Sequence, residues 1–361
     1  MINVTKTYLP PLEEYYEYLK GVWERSWVTN HGPLVNELEE KLKDFLGVKH
    51  LFFVSNGTIA LQIAIKALHL KGEIITTPFS YVATTSSIVW EGCKPVFVDI
   101  DPETLNIDVE SIESAITKET VAILPTHVFG NPCNHRKIKE IADKNNLKII
   151  YDAAHAFGVR YNDKPVAAYG NISVFSFHAT KIFHTIEGGA IVTNNDELAD
   201  VISYTRNFGH KGTEDFWGLG INGKNCEFHA AMGLCLLPNI NKSIEKRRNI
   251  TLKYNELLLN NNQKLRGVII NKDVEYNYAY YPIIFESEEL LLKVKLALNS
   301  KDINPRRYFY PSLNKLNYID YKQMAVSESI SRRILCLPLY DSLKNEEQLQ
   351  VIDVILNALK S

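Results

Sequence analysis

The chain is poor in the residues that mark several large protein classes. Its 361 residues include only five cysteines (Cys93, Cys133, Cys226, Cys235 and Cys336), scattered and without a Cys-x-x-Cys pair. An odd, dispersed set argues against a disulfide framework or a zinc site and fits reduced, mostly buried thiols, so no metal is expected. No uninterrupted apolar run reaches membrane-spanning length, and Met1 to Pro11 is mixed and polar, without the apolar stretch of an export signal. Neither charge is in excess: 40 Lys and Arg against 42 Asp and Glu leave a formal net charge of −2. With no basic face or Lys/Arg-rich tail, nucleic acid is not expected as a partner. No internal repeat or low-complexity segment stands out. These absences leave a globular protein expected in the cytoplasm, with neither a membrane nor a nucleic acid as partner.

What is present is alternation. Two amphipathic segments open the chain, Pro11–Glu24 and Pro33–Phe45. Strand-like runs follow at Leu51–Val54, Glu73–Thr77, Pro95–Asp99, Val121–Pro125, Lys148–Asp152, Ser173–Phe177 and Ala190–Thr193, with helical patterns between them at Thr58–Leu70, Val109–Ile116 and Arg136–Asn145. Strands interleaved with helices predict an α/β fold with a mostly parallel sheet of about seven strands, covered on both faces. Ligands of such sheets bind at the carboxyl ends of the strands. After Leu236 the texture changes to a charged helix, Ile244–Asn260, a strand pair near Gly267–Ile270 and Tyr280–Phe285, and helices at Leu290–Ser300 and Glu346–Leu359. The expected division is a large domain over 1–236 and a smaller α+β domain over 237–361, with the N-terminal helices of 11–46 packing on the smaller one.

Several residues at strand ends carry chemistry. Lys181 follows the run Ser173–Phe177, in a loop that closes with Gly188-Gly189. A lysine desolvated at the mouth of a sheet has a lowered pKa and becomes a nucleophile toward carbonyls; alone, a surface lysine between strands is the commoner explanation. Ser55-Asn56-Gly57-Thr58 feeds a helix N-terminus, which suits a phosphate or simply supplies an N-cap. Asp152 ends a buried strand, where a carboxylate is costly unless it meets a cation such as a pyridinium N–H; a helix-capping aspartate is the alternative. Ser176 shares the strand end with Lys181, and Tyr81 can cover one face of a flat ring or be an ordinary core aromatic. In this order, a phosphate loop, a ring-facing aromatic, an acid, a hydroxyl and a Schiff-base lysine are the set that pyridoxal phosphate needs.

The motifs around these residues resemble the DegT/DnrJ/EryC1/StrS family of sugar aminotransferases, fold type I pyridoxal phosphate enzymes like aspartate aminotransferase. They are Gly57-Thr58 with its helix, Pro78-Phe79-Ser80-Tyr81-Val82-Ala83-Thr84, Pro95 to Asp101, Asp152-Ala153-Ala154-His155-Ala156-Phe157-Gly158, Ser176 to Lys181 with Glu187-Gly188-Gly189-Ala190, and Gly220 to Gly233. The resemblance implies that Lys181 bonds pyridoxal 5′-phosphate covalently, Asp152 contacts the pyridine nitrogen, Tyr81 stacks on the ring, and Gly57, Thr58 and Ser176 hold the phosphate. His155 stands where family members often have a glutamine that contacts the ring hydroxyl. Asn222, in Gly220-Ile221-Asn222, is implied to reach the cofactor of a neighbouring subunit, hence a homodimer with shared active sites. The family usually continues with an aromatic and an arginine, and here Gly223 and Lys224 stand in their place.

The implied reaction carries an amino group from an amino acid, glutamate being expected, to a nucleotide-linked keto sugar. Thr29, Asn30 and His31 resemble a family loop near the sugar, and His184 is either a further sugar-side candidate or a packing residue. Asn304 to Leu313 combines Arg306 and Arg307 with Tyr308 and Tyr310, as a nucleotide diphosphate site would, or forms a structural loop. The lysine loop Thr185-Ile186-Glu187-Gly188-Gly189 is similar to members that aminate C4 of dTDP-linked 4-keto-6-deoxyhexoses to give dTDP-4-amino-4,6-dideoxyglucose. C3 amination, or a UDP- or GDP-linked 4-keto sugar, is the alternative. One decoy is set aside: Gly218-Leu219-Gly220-Ile221-Asn222-Gly223 matches the dinucleotide fingerprint, but the polar stretch before it is no strand.

Overall fold

The computed structural model describes residues 1–260 and 262–360. Seven short strands form its central sheet: β1 (His50–Val54), β2 (Glu73–Thr76), β3 (Lys94–Phe97), β4 (Thr120–Leu124), β5 (Lys148–Asp152), β6 (Ile172–Ser176) and β7 (Gly189–Thr193). Their order is β1-β7-β6-β5-β4-β2-β3, and β7 alone runs against its neighbours. These are the seven runs read from the sequence, each end within one or two residues.

Side-chain alternation along the strands divides the core between two faces. Phe52, Ile74, Leu124, Ile150, Val174 and Ile191 point to one side, where α3 (Gly57–Ala67), α4 (Val82–Trp90) and α6 (Asp196–Thr205) cover them. Their neighbours point the other way. Ile75, Ile123 and Ile149 meet α5 (His135–Asn145), while Phe53, Phe175 and Val192 meet α2 (Pro33–Leu46) and α7 (Glu227–Leu236). Each such side chain contributes roughly 2 kcal/mol when buried, so a one-residue slip of any strand would be costly, and the register that aims the strand ends is fixed by the core.

Two expectations change. The amphipathic N-terminal helices α1 (Leu12–Arg25) and α2 pack on the large sheet and α7, not on the C-terminal unit: Val22, Leu38 and Leu42 share a core with Phe53, Phe175 and Ala230. What joins the C-terminal unit is the extreme N-terminus, where Ile2–Asn3 pairs in parallel with Ile303–Asn304. The pattern at Val109–Ile116 forms two 3₁₀ turns, 109–111 and 113–115, rather than an α-helix. Asp108 accepts the Glu110 N–H and the Ser111 hydroxyl, and Ser114 bonds the Ser111 carbonyl, local bonds that compete with a helix.

The C-terminal unit is built on β8 (Tyr281–Phe285), flanked antiparallel by Leu265–Arg266 and by β9 (Ile334–Leu337). Helices Glu288–Asn299 and Asn345–Lys360 close its core over Ile283, Phe285, Leu335 and Leu337. The partner expected at Gly267–Ile270 lies two residues earlier, and β9 was hidden in the apolar run Ile334 to Leu339. No helix among the described residues is long and apolar enough to cross a membrane.

Candidate active site

The carboxyl ends of β1, β5 and β6 open into a cavity of ≈ 490 Å³. Its floor belongs to the large sheet. One wall comes from the C-terminal unit and from the first residues of the chain, Asn3 to Thr5.

Lys181 and Asp152 both line this cavity. Lys181 sits in a turn after β6, its backbone N–H donating to the His178 carbonyl at 2.8 Å. Its amine donates to the Tyr280 hydroxyl at 3.2 Å. Desolvation brings the amine down to about 8, an effect that the Asp152 carboxylate opposes. Asp152, 5% exposed, ends β5 and is held at both oxygens. Oδ2 accepts from the Thr84 hydroxyl at 2.7 Å and Oδ1 from the Ala154 N–H at 3.1 Å. Burial pushes its carboxyl above the usual range, while these two bonds and the Lys181 charge pull the other way. A buried carboxylate facing a cavity is stable when a cation completes it.

The phosphate candidates lie together. Gly57 and Thr58 begin α3, and Asn56 caps it by accepting the Ile59 N–H at 2.9 Å. The capping explanation is therefore correct for Asn56, yet it occupies only one of the free N–H groups of the first turn. Those of Gly57 and Thr58 remain, at the positive end of the helix. Ser176 faces them across the cavity floor: a Cβ on Gly57 would stand 3.0 Å from that of Ser176, so the close approach needs glycine. The hydroxyls of Thr58 and Ser176 line the cavity without a protein partner among the described residues. This cradle, with a buried carboxylate and a desolvated amine, fits a flat cationic ring bearing a phosphate and an aldehyde.

Tyr81 precedes α4, lines the cavity and remains 60% exposed. His155 is buried, parallel to Phe309 at 5.6 Å, and its Nδ1 accepts the Phe129 N–H at 3.2 Å. Burial holds its pKa well below the ordinary histidine value, so the ring is neutral and carries its proton on Nε2. Of the Arg-Arg-Tyr-Phe-Tyr run, Arg306, Tyr308 and Phe309 line the cavity. Arg307 instead bonds Glu288 at 2.7 Å and the Arg332 carbonyl at 2.9 Å, stacking over Tyr310 at 3.7 Å.

Other sequence candidates lie outside this chain's own cavity. His184 is buried with both ring nitrogens engaged: Nε2 bonds the Tyr8 carbonyl at 2.7 Å, and Nδ1 accepts the Ile186 N–H at 3.2 Å. That arrangement fixes the lysine loop and leaves no group for a sugar. Thr29 and Asn30 form an exposed bend, and the half-buried His31 lies 3.5 Å from Glu39. Asn222 accepts from Lys224 at 2.9 Å on an exposed loop.

Tyr280, Thr84, Asn3 and Asn304 line the cavity without having been singled out from the sequence. Thr84 lies inside the 78–84 motif. Tyr280 gave no signal, because it is one of four tyrosines between Tyr276 and Tyr281 and only the register shows which one faces in.

A profile of the DegT/DnrJ/EryC1/StrS aminotransferase family matches residues 12–356. The chain is 44% identical over 368 aligned residues to a dTDP-4-amino-4,6-dideoxy-D-glucose transaminase of Shigella dysenteriae, covering 99% of this chain and 98% of the relative. It is 38% identical to one of the same name from Escherichia coli, with 99% of each covered. Among solved structures, DesI crystallised in the presence of its TDP-sugar product superposes with a TM-score of 0.93 at 30% identity, over 99% of this chain and 93% of that one.

Proposed function

Because the chain belongs to the DegT/DnrJ/EryC1/StrS aminotransferase family, we propose that it transfers an amino group to C4 of dTDP-4-keto-6-deoxyglucose, giving dTDP-4-amino-4,6-dideoxyglucose. It is a pyridoxal 5′-phosphate-dependent nucleotide-sugar aminotransferase. The observation carrying the chemistry is a desolvated lysine amine and a buried carboxylate lining one cavity. The choice of sugar rests on the 44% identity with the Shigella dysenteriae transaminase over nearly the whole chain. A GDP-linked 4-keto sugar is the second reading, favoured by 32% identity over 94% of the chain with GDP-perosamine synthase of Escherichia coli O157:H7.

In this reading Gly57, Thr58 and Ser176 hold the cofactor's phosphate, Tyr81 covers its ring, His155 offers the Nε2 proton to its ring hydroxyl, and Asp152 takes its ring nitrogen. When bound, the cofactor supplies an electron sink for the pair left behind when a proton departs from carbon. Lys181 would anchor it by its aldehyde carbon, and binding of the amino donor, which we take to be glutamate, would leave the amine free to act as a base. The Lys181 Nζ would carry the proton from Cα of the donor to the carbon that was the cofactor's aldehyde, and in the return half would carry one from that carbon to C4 of the sugar. A pKa of about 8 suits both tasks, since a neutral base and its conjugate acid are each well populated near neutrality. Tyr280 keeps the free amine in place, and Arg306 and Tyr308 take the nucleotide-sugar side of the cavity. We place Asn222 of the partner subunit at this chain's phosphate site, in a cytoplasmic homodimer.

The test is an assay of the purified protein with dTDP-4-keto-6-deoxyglucose and glutamate, the product being identified by NMR. An equatorial amino group at C4 is expected. Amination at C3, or turnover of only a GDP- or UDP-linked sugar, would overturn the assignment of substrate.

A further inference from the structure

Behind Asp152, three hydroxyl side chains form a single file of hydrogen bonds that ends on its carboxylate. The Thr126 hydroxyl donates to Ser80 Oγ at 3.1 Å, the Ser80 and Thr84 hydroxyls lie 2.8 Å apart, and Thr84 donates to Asp152 Oδ2 at 2.7 Å. The three hydroxyl residues are at most 1% exposed. They come from three places: Thr126 follows β4 and bridges to Asp152 in the sheet, Ser80 lies in the loop after β2, and Thr84 is in the first turn of α4.

The direction of the file is determined. A hydroxyl has one proton, and an ionised carboxylate can only accept. Thr84 therefore gives its proton to Asp152 and must accept from Ser80, which in turn accepts from Thr126. Each bond polarises the next in the same sense, strengthening the last donation in a desolvated setting. Asp152 lines the cavity together with Lys181 and Tyr280, two of the titratable groups coupled to its charge; the third, Cys133, is buried away from the cavity.

We propose that Thr126, Ser80 and Thr84 are a relay of positioning residues that keeps Asp152 ionised, so that the proton it shares with the cofactor's ring nitrogen stays on the ring. This rests on the placement of that nitrogen at Asp152 given above. Without the relay, the carboxylate would be the more basic of the two partners. The proton would move from ring nitrogen to Oδ2, and the ring would lose its electron-withdrawing charge.

The experiment compares kcat, sugar KM and the dissociation constant for pyridoxal 5′-phosphate across the wild type, T84V, S80A, T126V, T84S and the S80A/T84V double variant. Loss of a hydrogen bond to a charged group predicts that T84V lowers kcat about tenfold or more, with KM changed by less than about twofold. S80A and then T126V follow with smaller losses, cofactor affinity weakens in the same order, and T84S restores both. Because Ser80 acts only through the proton of Thr84, S80A changes nothing further in the T84V background. Equal effects of S80A in both backgrounds, or T84V within about twofold of the wild type in kcat and cofactor affinity, would overturn the proposal. Should T84V not fold, the ranking S80A before T126V decides: wild-type behaviour in both counts against the relay. Failure of the wild type to aminate a sugar would refute the functional reading instead, while the ordered cofactor affinities would still report on the relay.

Discussion

At the level of single residues, the site depends on which side chain of a run faces inward. Lys181, Asp152, Gly57 and Ser176 were legible because each ends or follows a strand, and strand ends of a parallel sheet converge. Arg306 was not separable from Arg307, nor Tyr280 from its neighbours, since a one-residue step reverses a side chain's direction and nothing local fixes that step. Tyr280 now carries a specific expectation. Its hydroxyl holds the Lys181 amine at 3.2 Å, so Tyr280→Phe should lower kcat about tenfold while leaving the sugar KM nearly unchanged. The amine itself gives a pH dependence. Only its neutral form attacks an aldehyde, and desolvation sets its pKa at about 8. The rate at which the apoprotein captures pyridoxal 5′-phosphate should therefore rise with pH and level off above about 8. A rise continuing to the pKa of a free lysine, 10.5, would mean that the amine is solvated.

Elements were easier to see than the partners they pack on. The seven sheet strands stood out as short β-branched runs, but the amphipathic stripe of α2 says only that one face is buried, not against what. The start of α2 shows why sequence falls short here. Its N-cap is Gly32 with Pro33 in the first turn, so no local side chain satisfies the first N–H groups. The carboxylate of Glu227, distant in sequence and fully buried, accepts the Leu34 and Val35 N–H groups at 3.0 Å each. An acid at the positive end of a helix is favourable twice over, as acceptor and as charge. Glu227→Ala should lower the unfolding free energy by about 2–3 kcal/mol, and Glu227→Gln by less, because it keeps one acceptor. Urea denaturation at constant protein concentration reads both; equal stability of Glu227→Ala and the wild type would show that water replaces the cap.

Taken whole, the molecule brings three distant parts of the chain to one cavity: the strand ends of the large sheet, Tyr280, Arg306 and Tyr308 of the C-terminal unit, and the N-terminal residues Asn3 to Thr5. The α/β architecture followed from alternation alone, whereas the docking of the N-terminal strand on Ile303–Asn304 did not, two residues being too few to leave a pattern. Asn222 and the exposed side chains Phe208, Trp217 and Leu219 lie on the same loop region outside this cavity, which suits the proposed second copy. All of this serves one chemical claim, that Lys181 both anchors the cofactor and moves the proton. The most direct measurement takes Lys181→Ala, loaded with pyridoxal 5′-phosphate, and records its visible spectrum beside its turnover of dTDP-4-keto-6-deoxyglucose with glutamate. The yellow absorbance of the lysine-bound cofactor should disappear, and turnover should fall by at least about a thousandfold. A Lys181→Ala protein that still aminated the sugar at a comparable rate would contradict the claim.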